Sequence, residues 1–283
     1  MKRELIVSKN NPIITRLSKL ENKKYRELEG LYMLEGEKLF YEAVRFGADI
    51  EYVLLSESFC SDKKEFADSV FRVLSENNCP DTRVLELANP VFEKISTEKS
   101  PQGIITVAKT IDFFEKYNTI YNNEEFFSEP RCSVMLCDIR DPGNMGTVLR
   151  SACAFELDSI IVDSGCCDLF SPKVVRGSMG AILKAPIKTT TDALSEIETM
   201  RNLGVKVYAA ALDRDAVSLD KLDISEGTSV CFVIGNEGHG LDESVISACD
   251  GSVFIPMAEN TESLNASTAS SILMWELFKR KRK

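Results

Sequence analysis

The second half of the sequence is a series of short, almost wholly apolar runs separated by stretches of helical period. From residue 131 onward, six such runs predict strands: SVMLCDI, SIIVD, KAPIKT, VKVYAAA, SVCFVIG and SVFIP. Between them, the hydrophobic spacing predicts helices over 145–155, 172–180, 192–203, 242–249 and 264–280. Apolar runs without alternation are typical of strands buried on both faces. The pattern therefore predicts an α/β domain with a parallel sheet over residues 131–283.

Residues 1–110 predict a smaller α/β domain, because strands and helices alternate along them. The runs LYMLEG, EYVLLSE, RVLEL and GIITVAK predict strands, with helices over 37–47, 62–77 and 89–96. Residues 11–26 place apolar side chains near a helical period and lysines or arginines on the other face, which predicts a basic amphipathic helix. Residues 111–130 lack a clean period and are interpreted as a linker.

The stretch from Ile255 to Phe278 changes from a short apolar run to a polar loop and then to a helix that begins with small residues. Small residues on the first turns allow another backbone or a flat ligand to approach closely, and the N–H groups at a helix start are available donors. Two interpretations stay open at this point, namely a docking surface and a tightly packed interior helix.

The charge of the chain limits how it can bind nucleic acid. A formal net charge of −10 over 283 residues argues against a protein that coats nucleic acid without specificity. Charge acts locally, however, and residues 1–26 contain eight lysines or arginines against two glutamates, while the chain ends in KRKRK. These basic ends favour RNA binding, and solvated termini are the alternative.

Cysteine usage and hydropathy indicate an intracellular protein. The nine cysteines form no CxxC pair and the single histidine is His239, so no metal site is predicted and reduced, mostly buried thiols are expected. No apolar run approaches the roughly 18 residues of a membrane span, and the first residues lack the apolar segment of a secretory signal. We expect a cytoplasmic location and no membrane partner.

Three segments carry candidate chemistry, in this order: DPGNMGTVLRSACAF at 141–155, FVIGNEGHGL at 232–241, and IPM followed by SLNASTA between Ile255 and Ala269. Together they resemble the three signatures of the SpoU family of RNA ribose 2'-O-methyltransferases, in the trefoil-knotted SPOUT superfamily. The resemblance implies S-adenosylmethionine as cofactor, a trefoil knot in the C-terminal domain, and a homodimer with sites completed at the subunit interface. It also implies that residues 1–110 form a substrate-binding domain similar to ribosomal protein L30 (L30e-like). No G-x-G-x-x-G follows the first strand of the C-terminal domain, which disfavours a Rossmann-type methyltransferase.

The first signature contains Asn144 and Arg150. By resemblance, Asn144 orients the substrate and Arg150 is the essential catalytic residue. A guanidinium is a poor base because its pKa exceeds about 12. We therefore favour Arg150 as a group that grips a substrate phosphate and stabilises the forming alkoxide, with literal proton abstraction left open. Helix capping by Asn144 and a surface salt bridge of Arg150 are the structural alternatives.

The second signature is a loop with three glycines after a buried strand. By resemblance, Gly235, with Ile234 before it, contacts the cofactor through its backbone, and Glu237 is the carboxylate of the site. A plain tight turn is the alternative for the glycines. His239 falls where the family pattern is loose, and we interpret it as loop surface rather than as a base.

The third signature contributes to both parts of the site. By resemblance, the backbone of Ile255 and Leu264 holds the adenine and ribose side of the cofactor, and Ser263 and Asn265 are the polar pair near the reacting groups. Met257 is expected to line the same pocket, with a core methionine as the alternative. The segment SPKVVRGSMGA, with Arg176 and Ser178, also resembles a family segment, but no chemistry is assigned to it.

The sequence therefore predicts a two-domain enzyme that methylates a ribose 2'-hydroxyl of structured RNA. The added first domain favours 23S-type ribosomal RNA over tRNA, since the catalytic half alone suffices for the tRNA-specific branch of the family. A tRNA methyltransferase, an inert RNA-binding factor of the same fold and an antibiotic-resistance methyltransferase remain alternatives.

Overall fold

The structure is a computed structural model that describes residues 4–79, 81–113, 129–258 and 263–282. The chain forms two compact units, one made of Met1–Ile111 with Asp168–Lys184 and the other of Asp112–Cys167 with Ala185–Lys283. The predicted linker over 111–130 lies mostly outside the described residues. Among the helices of the described ranges, none is both long and apolar enough to span a bilayer.

The first unit contains a mixed sheet of five strands in the order β1-β4-β3-β5-β2. β3 is parallel to β4 and β4 to β1, whereas β5 is antiparallel to both β3 and β2. The short edge strand β1 is not predicted from the sequence, because three residues are too few to show a pattern. The strands are β1 (Glu4–Ile6), β2 (Leu31–Glu35), β3 (Ile50–Ser56), β4 (Arg83–Leu87) and β5 (Ile104–Lys109).

The predicted basic helix over 11–26 is instead two short helices, α1 (Pro12–Leu17), continued by a 3-10 turn over Ser18–Glu21, and α2 (Lys23–Glu29). The helix breaks because Asn22 has an extended backbone and its side chain accepts a hydrogen bond from the Lys24 N–H at 3.0 Å, which starts a new helix. The amphipathic character is confirmed. The buried apolar side chains are Ile14, Leu17 and Leu20, and the exposed basic ones are Lys19, Lys23 and Lys24.

The two arginines of this segment are held by the protein itself. Arg16 donates to Glu29 at 2.7 Å and to Glu51 at 3.0 Å. Arg26 is buried, donates to the carbonyl of Leu20 and pairs with Asp168 through Nε at 2.9 Å. The remaining helices of this part are α3 (Glu37–Arg45), α4 (Glu57–Asp62), α5 (Lys64–Glu76) and α6 (Asn89–Ile95).

The second unit contains a sheet of seven strands, all parallel, in the order β10-β12-β9-β11-β6-β7-β8. The predicted parallel sheet is thereby confirmed. The two-residue strand β10 is the one strand of this sheet that the sequence does not predict. The strands are β6 (Cys132–Leu136), β7 (Ser159–Asp163), β8 (Ile187–Thr190), β9 (Lys206–Ala210), β10 (Val217–Ser218), β11 (Val230–Ile234) and β12 (Gly251–Phe254).

The strand order gathers the signature segments at one edge of this sheet. β11 lies between β6 and β9, and β12 lies on the other side of β9. Because the carboxyl ends of parallel strands share one edge, the segments that follow β6, β11 and β12 meet there, and ligands of such sheets bind outside these ends. The helices of the second unit are α7 (Pro142–Ala154), α9 (Ala193–Asn202), α10 (Glu243–Ala248) and α11 (Ala266–Lys281).

The segment Asp168–Lys184, with helix α8 (Pro172–Gly177), packs in the first unit, whereas the sequence interpretation had placed it in the domain over 131–283. Asp168 pairs with the buried Arg26, and the ring of Phe170 lies 4.8 Å from that of Tyr32. These contacts join residues that are more than a hundred positions apart, and no local pattern predicts them.

All nine cysteines lie within the described residues and are reduced thiols. Four are buried and the other five are partly exposed, so fewer thiols are buried than the sequence predicts. The buried ones are Cys132, Cys137, Cys231 and Cys249.

Candidate active site

Helix α7 starts at a proline, and the residue before it caps the helix. The Asp141 side chain accepts a hydrogen bond from the Asn144 N–H at 2.9 Å, and Pro142 occupies the first helical position, where no N–H partner is needed. The sequence left open that Asn144 caps this helix, but Asp141 does so. The amide side chain of Asn144 is therefore available for contacts outside its own helix.

That amide joins the other two signature segments. Its Nδ2 donates to Oε1 of Glu237, and its Oδ1 accepts from Nδ2 of Asn265 at 3.0 Å. Since a carboxylate only accepts hydrogen bonds, Asn144 presents its nitrogen to Glu237 and its oxygen to Asn265. Three residues, one from each signature, thus form a single chain of hydrogen bonds, which we call the amide relay.

Asn265 also starts helix α11. Its Oδ1 accepts hydrogen bonds from the N–H of Ser267 at 3.0 Å and from the Ser267 hydroxyl at 2.6 Å. Because the oxygen of the amide is turned toward the helix, the nitrogen is turned toward Asn144. One side chain therefore both caps the helix and ends the relay.

The small residues at the start of α11 are consistent with the interior-helix interpretation, and the docking surface stays a prediction. Ala266, Ser267 and Ser270 are buried, as in an interior helix. Ala269, one turn beyond Ala266 on the same helix, lines a cavity. The start of the helix is therefore mostly buried, and Ala269 forms part of a cavity wall.

This cavity has a volume of about 210 Å³ and lies beside the carboxyl ends of β9 and β12. Met257 is 41% exposed and belongs to the cavity wall, which excludes the core-methionine alternative. Ser263 also lines the cavity and makes no hydrogen bond to the amide relay within the described ranges. The lining residues are Ala210, Ala211, Leu212, Val253, Phe254, Ile255, Met257, Ser263, Leu264, Ala269 and Leu273.

Ile234 and Gly235 do not line this cavity. Ile234 is the last residue of β11 and is buried, with its carbonyl accepting from the Cys137 N–H at 2.9 Å. A Cβ atom on Gly235 would collide with the Gly240 carbonyl and lie 2.8 Å from Cγ of Leu241. Closure of the loop therefore requires a glycine at position 235 whether or not a cofactor is bound, so the tight-turn alternative has direct structural support.

Arg150 lies six residues beyond Asn144 on α7, about 9 Å further along the helix axis. Its side chain is exposed. Among the residues that the structure describes, it forms no ion pair and no hydrogen bond through its side chain. The surface salt bridge that the sequence left open is not formed within that part of the chain.

Asn236 and Asp138 organise the second signature, and neither is assigned a role from the sequence. The Asn236 side chain donates to the carbonyl of Asp138 at 2.9 Å and accepts from the Gly238 N–H at 2.8 Å. The backbones of Asn236 and Gly240 exchange two hydrogen bonds of 3.0 Å, which close the loop. His239 is exposed, as predicted, but its Nε2 lies 3.1 Å from Oδ2 of Asp138. Nothing in the sequence connects Asp138 with this loop.

Arg176 and Ser178 belong to the first unit and make structural contacts. Arg176 pairs with Glu98 in the wall of a cavity of about 120 Å³. Glu35 lies in the same wall, and burial raises the pKa of its carboxyl group. The buried Ser178 hydroxyl donates to the Val175 carbonyl at 2.8 Å. Neither residue lies with the amide relay in the second unit.

Comparison with known proteins identifies the second unit. The sequence profile of the SpoU rRNA methylase family matches residues 131–275, about half of the chain, and includes every member of the relay. The chain belongs to this family. A second profile, that of the MRM3-like substrate binding domain, matches residues 11–106. The two profiles together match most of the length of this SpoU protein.

Similar proteins resemble the chain over nearly its whole length. It is 26% identical over 272 residues to the 23S rRNA (guanosine(2553)-2'-O)-methyltransferase RlmP of Bacillus subtilis, covering 96% of this chain and 98% of that protein. The crystal structure of an AdoMet-bound rRNA methyltransferase from Sinorhizobium meliloti matches with a TM-score of 0.82 and 27% identity, covering 99% of this chain and 97% of that one.

Proposed function

We propose that this protein transfers a methyl group from S-adenosylmethionine to a ribose 2'-hydroxyl of ribosomal RNA, and that this RNA is of the 23S type. The amide relay carries the proposal, because it joins all three signatures of a methylase family at the ligand-binding edge of a parallel sheet. The Bacillus subtilis relative is a 23S rRNA methyltransferase that aligns with 96% of this chain, and this similarity favours ribosomal RNA over tRNA.

The cavity beside β12 and α11 suits the flat, apolar part of such a cofactor. Its walls are mostly alanines and aliphatic side chains, with Phe254, Met257 and Ser263, and small residues permit close approach to a planar ring. Ile255, Leu264 and Met257 would hold the cofactor there, with Gly235 and Ile234 contributing backbone at the neighbouring strand end. When bound, S-adenosylmethionine supplies an electrophilic methyl group.

The residues of the relay would orient the ribose hydroxyl of the substrate and would not take its proton. Asn144 is fixed at both ends of its amide by Glu237 and Asn265, so its position is determined before any substrate arrives. A preorganised polar group loses little freedom when it meets the reacting hydroxyl. Ser263, at the cavity wall, would complete the polar surface on the cofactor side.

Arg150 would act on the RNA. Its exposed guanidinium can form two parallel hydrogen bonds to a phosphate and can stabilise negative charge on the 2'-oxygen as the proton leaves. The guanidinium stays protonated near neutral pH, so we assign it this electrostatic role in preference to that of a base.

The first domain would hold the RNA. Lys9, Lys19, Lys23 and Lys24 are exposed, and two of the neighbouring arginines are already paired within the protein. The profile match to a substrate-binding domain over 11–106 supports this assignment. We further propose that the protein is a cytoplasmic homodimer with a trefoil knot in its C-terminal domain. Size-exclusion chromatography with light scattering would test whether it is a dimer.

The experiment that tests the function is single-turnover transfer of labelled methyl from S-adenosylmethionine, with 23S rRNA and bulk tRNA as separate substrates. Incorporation into 23S rRNA at a ribose, located by 2'-O-methyl mapping of RNA from cells with and without the protein, is the expected result. Incorporation into tRNA alone would replace the substrate. Cofactor binding without transfer to any cellular RNA would favour the inert RNA-binding factor.

A further inference from the structure

Asp138 occupies an unusual backbone position at the ligand-binding edge of the sheet. It lies two residues beyond the end of β6 and has φ of +56°. Few residues other than glycine adopt this left-handed conformation, and aspartate and asparagine are among those that do. The main chain there is therefore held by specific contacts, some of which come from Asp138 itself.

The side chain and carbonyl of Asp138 anchor the loop that carries Glu237 on both sides of that residue. The Asn236 amide donates to the Asp138 carbonyl at 2.9 Å and to Oδ2 at 3.3 Å. On the far side of Glu237, Nε2 of His239 lies 3.1 Å from the same Oδ2. One carboxylate oxygen thus meets the residue before Glu237 and the residue two positions after it.

Asp138 is fixed independently of this loop. Its N–H donates to Oδ1 of Asp163 at 3.0 Å, at the end of the neighbouring strand β7. Its other carboxylate oxygen, Oδ1, accepts from Nε of Arg140 at 2.7 Å. The two carboxylate oxygens are therefore divided, with Oδ1 turned to Arg140 and Oδ2 turned to the loop. A carboxylate held on one side in this way can fix what it meets on the other.

We infer that Asp138 is a positioning residue for methyl transfer: it holds the loop over residues 235–241 and thereby places Glu237 against Asn144. The inference rests on the proposed function for its kinetic consequence, but its structural consequence can be measured without any reaction.

The test compares Asp138→Gly with Asp138→Asn. Both glycine and asparagine tolerate the left-handed backbone, so neither replacement introduces backbone strain. Glycine removes Oδ2, whereas asparagine retains an oxygen that can still accept from the loop. Glu156→Gly is the matched control, because Glu156 also has a positive φ, of +52°, and is exposed at the end of α7.

Two measurements on the full-length protein separate this inference from the proposed function. Hydrogen exchange of the amides over 235–241 should become faster in Asp138→Gly than in the wild type and the Glu156→Gly control. Single-turnover methyl transfer at saturating cofactor and RNA should fall about tenfold or more in Asp138→Gly, the loss expected for hydrogen bonds to a charged group. Asp138→Asn should recover most of both properties.

The results also allow the inference to fail clearly. Unchanged loop exchange in Asp138→Gly would overturn it, whatever the activity. Faster exchange with an unchanged transfer rate would overturn the positioning role. If the wild type transfers no methyl group to any RNA, the proposed function fails, and faster exchange in Asp138→Gly alone would still establish that Asp138 holds the loop. Equal losses in Asp138→Gly and Asp138→Asn would show that the side-chain oxygen facing the loop is not responsible.

Discussion

Replacing Asn144 by alanine should separate the proposed catalytic role of the amide relay from its contribution to stability. The change removes the bond to Glu237, which is charge-assisted, and the 3.0 Å bond from Asn265. Hydrogen bonds to charged groups contribute about 1.5–3 kcal/mol and neutral ones about 0.5–1.5 kcal/mol. If both act in the transition state, the expected loss is about 2–4 kcal/mol, or roughly 30-fold to 1000-fold in rate.

Stability should change far less than the rate. Glu237 and Asn265 are exposed, so water can replace the Asn144 amide at each of them. Substitutions at such positions usually alter the free energy of unfolding by about 0.5 kcal/mol or less. We therefore expect a nearly unchanged thermal midpoint and unchanged cofactor affinity, since Asn144 does not line the cavity. Asn77→Ala is a suitable control, because it removes an exposed amide that bonds only its own helix, at 2.8 Å from the Val73 carbonyl.

Two further variants divide the relay into its halves. Asn144→Asp keeps an oxygen for Asn265 but places a carboxylate against Glu237, so it should be at least as impaired as Asn144→Ala. Asn265→Ser retains a good helix cap but removes the amide nitrogen that donates to Asn144, so it isolates this bond from the capping of α11.

The assay is single-turnover transfer of labelled methyl to ribosomal RNA, with cofactor affinity measured by calorimetry on the same preparations. A rate within about threefold of the wild type for Asn144→Ala would refute the relay as part of the catalytic machinery. A large fall in the thermal midpoint would instead assign Asn144 a structural role.

The remaining predictions concern other parts of the chain. Arg150→Ala should lower the transfer rate by about 100-fold to 1000-fold with the cofactor still bound, and Arg150→Lys should recover only part of it because an ammonium lacks the guanidinium fork; near-normal transfer by Arg150→Ala would remove this residue from the mechanism. Gly235→Ala should weaken cofactor binding together with loss of protection of the 235–241 amides, since the methyl group meets the Gly240 carbonyl; weaker binding with an intact loop would instead indicate direct cofactor contact. Among its described residues, the N-terminal segment has four exposed lysines, namely Lys9, Lys19, Lys23 and Lys24. Replacing all four by alanine should flatten the salt dependence of RNA binding by about 0.7–0.9 log units per decade for each phosphate that the variant no longer neutralises. An unaltered slope would mean that these lysines are only solvated. Burial raises the pKa of the Cys132 and Cys249 thiols to about 11 and of Cys137 to about 12, so little thiolate forms at pH 8. Iodoacetamide should therefore modify these cysteines much more slowly in the folded than in the unfolded protein, as followed by peptide mass spectrometry. Equal rates would contradict their burial.

The sequence by itself determined that the second unit contains a parallel sheet covered by helices on both faces. The apolar runs of β6, β7 and β11 carry no alternation, and a strand of that kind is stable only where both faces are covered, so a parallel sheet between helices followed directly. The three signatures also named Asn144, Glu237 and Asn265 as candidate site residues by resemblance. These inferences depend on local pattern and on motif, both of which are written along the chain.

The tertiary structure decided how those residues meet. The pairing of β11 with β6 brings Glu237 to Asn144, and the packing of α11 against α7 brings Asn265 to it. No hydrophobic period specifies the order of strands in a sheet or the partner of a helix. In the same way, the carboxylate of Asp138 meets a loop about a hundred residues later, and Asp168 pairs with Arg26 in the first unit. Hydrogen bonds and ion pairs of this kind depend on distances of a few ångströms between elements, and only the folded chain sets those distances.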